Sequence, residues 1–505
     1  MSSAEAPVLS FRDFGLVHRR PGHDLVVLDN VNLEVPHGGF YLIVGQSGSG
    51  KSSLLRFLTG LWEPREPAPK FHGQVAVLGV PLAGGYPREL RKRTAAVLQE
   101  EGLLDELSPV GNVEIALRAA RRSPKLALGL LSQAGLNEPI APVSMLSGGM
   151  RKRVAVARAL ALDPELIIFD EPTAGLDNES AREIASLLHE THQQSEGRRT
   201  TIVISHDINV FEDLSDRILE IDADQRSLNF ADSERVHADF ERWARSVRPP
   251  AEEDPTLYGV RQVLLGMAAV TNTLLQALVR LPPVFLGIVL RTTGRYLVEP
   301  AAFTVLAAVT IGGLATFFSL ENNPLESAFT SQLLTGVGKV LTAVLVPLMA
   351  GFFFTARMAA GAAARIGTMK RAQQVAALQL MGVRPADYLM TPLVWAMCIA
   401  MPVVTAAGIV AAALSSFLVY KVLTGASTYG WLTSFFRTVE LADIRFLLFK
   451  TVLSGFLIAT VTYHLAIGPK RSGRDVGNSV NSCIVVGMVI VLLVHSGLTV
   501  IQFAE

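Results

Sequence analysis

The chain has 505 residues, half of them hydrophobic, and its 45 basic residues are balanced by 45 acidic ones. That length allows two or three domains, and the apolar fraction is too high for an ordinary soluble protein. The balanced charge removes any global case for nucleic-acid binding, so part of the chain is expected in lipid and charge has to be weighed locally.

The first residues, MSSAEAPVLS, carry no positive n-region and no apolar h-region, so no cleavable signal peptide is expected and the N-terminal domain is placed in the cytosol. From residue 8 to about 221, β-branched runs such as FYLIV (40–44) and LIIF (166–169) alternate with helical stretches, as in a mostly parallel α/β sheet. We set this domain at residues 1–230. Residues 231–256 turn charged and break up at RPPAEEDP, which predicts a domain-terminal helix and a linker.

Residues 257–505 are expected to form an all-α polytopic membrane domain. It opens with Val260, Val263, Leu264, Met267, Val270 and Leu274 at spacings of three and four, an amphipathic pattern that fits a helix lying in the membrane interface. Five apolar segments follow at 301–319, 333–356, 388–418, 444–467 and 482–503, each near the roughly 20 residues a bilayer crossing needs. The third is long enough to kink at Pro392 or Pro402 or to be two segments, and 284–298 reads as a further partial span. Cys398 and Cys483 lie in apolar runs without Cys-x-x-Cys partners, so neither a disulfide nor a metal site is expected of them. The connection 357–384 holds Arg357, Arg365, Lys370, Arg371 and Arg384, and 468–481 holds Lys470, Arg471 and Arg474. By contrast, 320–332 has only Glu321 and Glu326 as charges, and 419–443 has just two basic residues, Lys421 and Arg437. The positive-inside rule puts the first pair of connections in the cytosol and Glu505 outside.

Gly45-Gln46-Ser47-Gly48-Ser49-Gly50-Lys51-Ser52 follows one apolar strand and precedes an apolar helix, the context of a P-loop; Ser53 continues it. The glycines let backbone N–H groups approach phosphates, Lys51 neutralises β/γ charge, and the Ser52 hydroxyl can ligate Mg²⁺. A second strand, 166–169, ends in Asp170, placed to hold the Mg²⁺ shell, and Glu171, placed to polarise the attacking water. The fold class expected here is an α/β P-loop NTPase with ATP and Mg²⁺ as its cofactors.

Further along, Leu146-Ser147-Gly148-Gly149-Met150 opens a helix, and with it the domain resembles the ABC transporter ATPases. The resemblance implies that Ser147, Gly148 and Gly149 face the γ-phosphate bound by a second subunit. It also makes Gln99 the Q-loop residue and a Mg²⁺-shell ligand, Asp177 part of the D-loop, and His206 the switch histidine. His18, with Phe14 nearby, stands where many such cassettes stack an aromatic on adenine, and Met150 replaces the usual Gln. Because the signature acts in trans, a homodimer is implied.

Residues 260–505 resemble the Mla-type, MlaE-like permeases of lipid asymmetry, which work with MCE-domain proteins. The likeness rests on FTARMAAGAAARIGTM (354–369) with the AQQVAALQLMGVRPADYLM that follows, on DIRFLLFKTVLSGF (443–456) with its Lys450, and on GRDVGNSVNSCIVV (473–486). Two departures mark a divergent branch: Arg365 stands where the family carries an acid, and Val344 and Leu345 where it carries a charged pair. A helix over 368–381 is expected, with Met369, Ala372, Val375, Ala376 and Leu380 on one face and Lys370, Arg371, Gln374 and Gln379 on another. It suits either the Q-loop groove of the cassette or an anionic lipid surface. Arg365 and Arg371 are candidate coupling residues. Lys450 is either a headgroup contact or a packing lock, Lys339 reads as snorkelling outward, and His464 and His495 read as interfacial.

The resemblance implies an ATP-driven half transporter of a bacterial cytoplasmic membrane. Acting as a homodimer, it would move phospholipid or another amphiphile between the membrane and an MCE-type extracytoplasmic partner. The alternatives are a drug- or sterol-type half exporter, an ATPase mechanotransmitter that translocates nothing, and a nucleotide-binding regulator without turnover.

Overall fold

The computed structural model describes residues 6–20, 23–46, 48–61, 70–82, 86–137, 142–245, 260–279, 286–321, 329–425, 427–470 and 472–504. The chain divides into two compact units: residues 1–257 together with 372–384, and residues 258–371 together with 385–505.

The first unit carries two sheets. β1 (Leu9–Arg20), β2 (His23–Val35), β4 (Lys70–Val77) and β5 (Val80–Pro81) form an antiparallel sheet in the order β2-β1-β4-β5. β3 (Phe40–Gly45), β6 (Thr94–Val97), β7 (Leu166–Asp170), β8 (Thr200–Ile204), β9 (Arg217–Asp222) and β10 (Ser227–Ala231) form the second, ordered β10-β9-β3-β8-β7-β6. All its pairings are parallel except β9 with β10. Parallel strands are covered on both faces, and β3, β6 and β8 are buried along their whole length, which is why they read as apolar runs without alternation. Register brings Asp170 opposite Ile204, so the strand ends carrying Asp170 and His206 lie side by side. The helix Ser233–Arg245 begins inside the charged stretch and packs on this unit through fully buried Val236, with Arg235 3.6 Å from Glu220 and His237 2.8 Å from Glu212.

The second unit is helical, with five runs among the described residues long and apolar enough to cross a membrane: Leu286–Glu321, Thr330–Arg371, Ala386–Thr424, Leu441–Ala466 and Gly473–Ala504. The count agrees with the sequence expectation. The third segment is a single helix that continues through Pro402, and the described part of 284–298, the helix Leu286–Val298, opens the first run. Small residues bring backbones close: a Cβ on Gly312 would lie 2.4 Å from the Ala412 carbonyl, and one on Gly455 2.7 Å from that of Met397. Thr316 donates to Ser416 across the same crossing at 2.7 Å. A short helix, Thr428–Phe435, was not read from the sequence; its buried Trp431 and Phe435 join the core formed by Ala308, Leu334 and Leu341.

Four expectations are corrected. The helix over 368–381 is not continuous: Ala360–Arg371 ends, Gln373 takes a left-handed φ of 56°, and a new helix runs Gln374–Leu380. Lys339 does not snorkel outward. Its Nζ lies 2.6 Å from Asp443 Oδ2, because the helix carrying Asp443 begins beside it and burying either charge alone is costly. His464 is buried and lies 2.9 Å from the Thr273 hydroxyl, and His495 is 3% exposed, so both are interior. Phe14 is fully buried and packs on Phe11, Phe57 and Phe71, so it is core and not an adenine platform.

Candidate nucleotide site and coupling segment

β3 ends at Gly45 and the helix Lys51–Thr59 begins six residues later, with left-handed Gly48 (φ 81°) and Gly50 (φ 105°) between. Only glycine takes these angles without strain. A Cβ on Gly50 would overlap Val27 at 2.0 Å, whereas Gly48 faces open space. Ser49 is 3% exposed and its hydroxyl has no partner among the described residues. Lys51 Nζ donates to the carbonyls of Gly45 at 2.6 Å and Gln46 at 3.2 Å. Burial pulls its pKa down, while Glu171 and Asp170 pull it up. Ser52 is exposed and Ser53 half-buried in the first turn of that helix. Ser47 lies outside the described residues, as does the side chain of His18, whose backbone pairs with Leu25.

Asp170 closes β7, and burial, then the neighbouring Glu171 charge, push its pKa up to about 6. A carboxylate under that pressure favours a cation, and with Ser52 it fits a nucleotide-bound Mg²⁺, which keeps most of its shell in water and phosphate. Among the described residues no cluster of three or more His, Cys, Asp or Glu could hold a metal by itself. Glu171 takes a left-handed φ of 49°, uncommon for a residue with a side chain, and is 9% exposed. Its Oε1 lies 2.7 Å from His206 Nδ1, and its amide donates to the Ile204 carbonyl at 2.8 Å. The structure thus brings Lys51, Asp170, Glu171 and His206 to one edge of the sheet.

Ser147 caps the helix Gly148–Leu160, its hydroxyl accepting from the Met150 amide at 3.3 Å. Asp177 caps the helix Asn178–Gln193 by accepting from the amides of Glu179 and Ser180, which hold its carboxyl below the usual range. Ser147, Gly148, Gly149 and Asp177 line one open cavity of about 350 Å³ that contains no P-loop residue.

Gln99 is exposed just past β6, and its carbonyl accepts from Lys152 at 3.0 Å. Sequence reasoning missed the ionic stitch around it. Lys152 Nζ lies 3.1 Å from Glu101, and Arg158 donates to the carbonyls of Glu101 (2.5 Å) and Gly102 (2.7 Å). Arg151 lies 3.6 Å from Glu101 and 3.5 Å from Asp105. Burial lowers the Arg158 pKa to about 10. The signal available was the basic run Arg151-Lys152-Arg153 with Arg158 on the helix opened by Ser147. Residues 372–384 belong to this same unit: Gln374 Nε2 donates to Asp105 at 2.8 Å, and Leu380 enters the hydrophobic core.

In the helical unit Lys450 is 1% exposed and donates to Thr499 (2.8 Å) and Gln502 (2.6 Å). Gln502 in turn donates to Asp443 at 2.5 Å. Arg365 is half-buried and Arg371 exposed, both on Ala360–Arg371.

Comparison with known proteins assigns both halves. The family model described as ABC transporter matches residues 28–174, and the one described as Permease MlaE matches 289–501. The methionine import ATP-binding protein MetN of Nocardia farcinica is 32% identical over 244 residues, covering 46% of this chain and 70% of the relative. The macrolide export ATP-binding/permease protein MacB of Vibrio parahaemolyticus is 35% identical over 260 residues, covering 48% of this chain but only 39% of the relative. A solved dimeric ATP-binding cassette in a post-hydrolysis state with ADP and phosphate is 30% identical over 44% of this chain and 96% of its own, with a TM-score of 0.38.

Proposed function

The chain belongs to the ABC transporter family, with an ABC-type ATPase joined to a MlaE permease domain in a membrane-embedded protein whose ATPase is cytosolic, and from that premise we propose that two copies form an ATP-driven transporter of phospholipid or a related amphiphile. The observation that carries this reading is the segment 372–384, which interrupts the permease sequence and packs as part of the ATPase. Motion of the cassette then has a covalent route into the membrane runs on either side of it.

Glu171, buried and held by His206, is the base that orients and polarises the attacking water. The P-loop amides and Lys51 bind the phosphates, and Ser52 and Asp170, with Gln99, would hold Mg²⁺, which when bound neutralises charge on the β- and γ-oxygens. Ser147, Gly148 and Gly149 at a helix N-terminus offer amides to the γ-phosphate of the partner's nucleotide, and Asp177 lines the same cavity. Each site is therefore composite, and the working unit is a homodimer.

The MlaE match of the second half supports reading the substrate as lipid, the partner as an MCE-type extracytoplasmic protein and the location as the bacterial cytoplasmic membrane. The MacB relative, whose name speaks of macrolide export, supports a second reading, export of a drug-like amphiphile. Reconstituted vesicles decide between them: ATP should drive loss of labelled phospholipid from one leaflet or to an added lipid-binding acceptor. ATP turnover that moves a macrolide and leaves the phospholipid in place would overturn the lipid reading.

A further inference from the structure

Within the helical unit a cavity of about 600 Å³ lies between the middle of the first membrane run and the later part of the second, lined by Glu299, Phe303, Leu306, Phe353, Ala356 and Arg357. A volume of that order suits a sizeable ligand. Its long wall is apolar: Phe303 meets Phe353 edge-on at 4.7 Å, and Phe303 and Leu306 are 59% and 64% exposed. One end is charged. Arg295 lies 2.7 Å from Glu299, and Arg357 stands exposed on the π-helical turn Thr355–Ala359. Single π turns inside α-helices re-aim side chains and concentrate at functional sites.

Depth identifies the leaflet. Glu299 precedes the outer end of its run, Glu321, by 22 residues, and Arg357 follows the outer end of its run, Thr330, by 27. At about 1.5 Å per residue these are about 33 and 40 Å, beyond the roughly 30 Å of hydrocarbon. The charged end therefore sits at the cytoplasmic headgroup layer, and the aromatic wall runs from it into the acyl region. Two guanidiniums and one carboxylate leave one positive charge, which matches one phosphodiester.

We propose that this cavity is a lateral binding site for a phospholipid of the cytoplasmic leaflet, its phosphate held by Arg357 and an acyl chain laid along Phe303, Leu306 and Phe353. The inference deepens, and rests on, the reading of the chain as a mover of lipid. The charged pair gives the site a polarity that a plain lipid-facing groove lacks, and the open flank at Leu306 lets a lipid enter sideways.

The test uses the full chain in vesicles of phosphatidylethanolamine and phosphatidylglycerol doped with a phospholipid carrying an acyl-chain diazirine. After irradiation, adducts should concentrate on peptides covering 299–306 and 353–357, above the lipid-facing stretch around Leu493, which is 67% exposed. Arg357→Gln removes one charge-assisted bond of about 1.5–3 kcal/mol and should lower the yield roughly tenfold or more. Arg357→Lys should restore part of it, and Leu306→Trp, at an exposed position, should block the cavity. Labelling spread evenly along lipid-facing helices, or unchanged in Arg357→Gln and Leu306→Trp, overturns the site. Disulfide-linked dimers of a Leu306→Cys variant in the same vesicles would make a second copy the occupant and overturn it too. ATP-driven lipid movement, followed in the same vesicles, separates the two readings. Movement without adducts here removes the site and leaves transport standing, and adducts without movement do the reverse.

Discussion

Arg158 is the most informative single residue to change, because it is 4% exposed and donates to two backbone carbonyls of the segment 99–105. Arg158→Met keeps an unbranched apolar stem and removes both donors. Each charge-assisted bond is worth about 1.5–3 kcal/mol, and the Gly102 carbonyl is left buried without its donor. Against this, a fully buried guanidinium carries a desolvation cost of several kcal/mol that the variant no longer bears. A net loss of about 3 kcal/mol follows, and at about 2–4 °C per kcal/mol for a unit of this size the unfolding midpoint should drop by about 6–12 °C. The local readout is sharper. Hydrogen exchange of residues 99–105 should accelerate while β3 and β8 stay protected, and because Gln374 bonds to Asp105 in the same segment, exchange of 374–380 should rise with it. A midpoint within about 2 °C of wild type together with unchanged exchange at 99–105 would refute the reasoning.

Glu171→Gln should lower ATP turnover at least about a hundredfold while ATP binding persists and closed dimers accumulate in size-exclusion chromatography. Unchanged turnover would sink the base assignment. In mixed dimers, one copy carrying Ser147→Arg should disable one of the two composite sites and lower turnover; activity equal to wild type would remove the trans-acting signature. Lys339→Met strands Asp443 in an 8%-exposed position and should destabilise the helical unit by about 3–5 kcal/mol in detergent unfolding, whereas adding Asp443→Asn should recover much of the loss. A double variant no better than the single would show that the pair is not the cause. Gln373→Gly removes a left-handed cost of about 1–2 kcal/mol and should leave turnover intact with a higher midpoint; a lower midpoint would mean the Gln373 side chain is needed.

The nucleotide residues were legible in the sequence because their chemistry demands fixed spacing on a strand end or helix start. Lys51, Asp170, Glu171 and His206 converge as the motifs require. The five membrane runs were legible through length and composition. What escaped had no motif to mark it. The Lys339–Asp443 pair joins residues far apart in sequence, and each alone reads as a misplaced charge. The break at Gln373 occurs where no Gly or Pro announces it, and the periodic apolar face carried the expected helix straight through. Arg158 belongs to no motif, and only packing shows that it is spent on backbone carbonyls.

The membership of residues 372–384 in the ATPase unit also bears on how the protein is made. Leu380 fills part of the ATPase core, yet it leaves the ribosome only after the first two membrane runs have been synthesised. Residues 1–257 must therefore wait, partly formed and with an apolar socket open, until membrane insertion delivers the missing piece. Maturation of the enzyme is thereby tied to arrival in the bilayer, and chains that fail to insert are left with a recognisable sticky patch for chaperones and proteases.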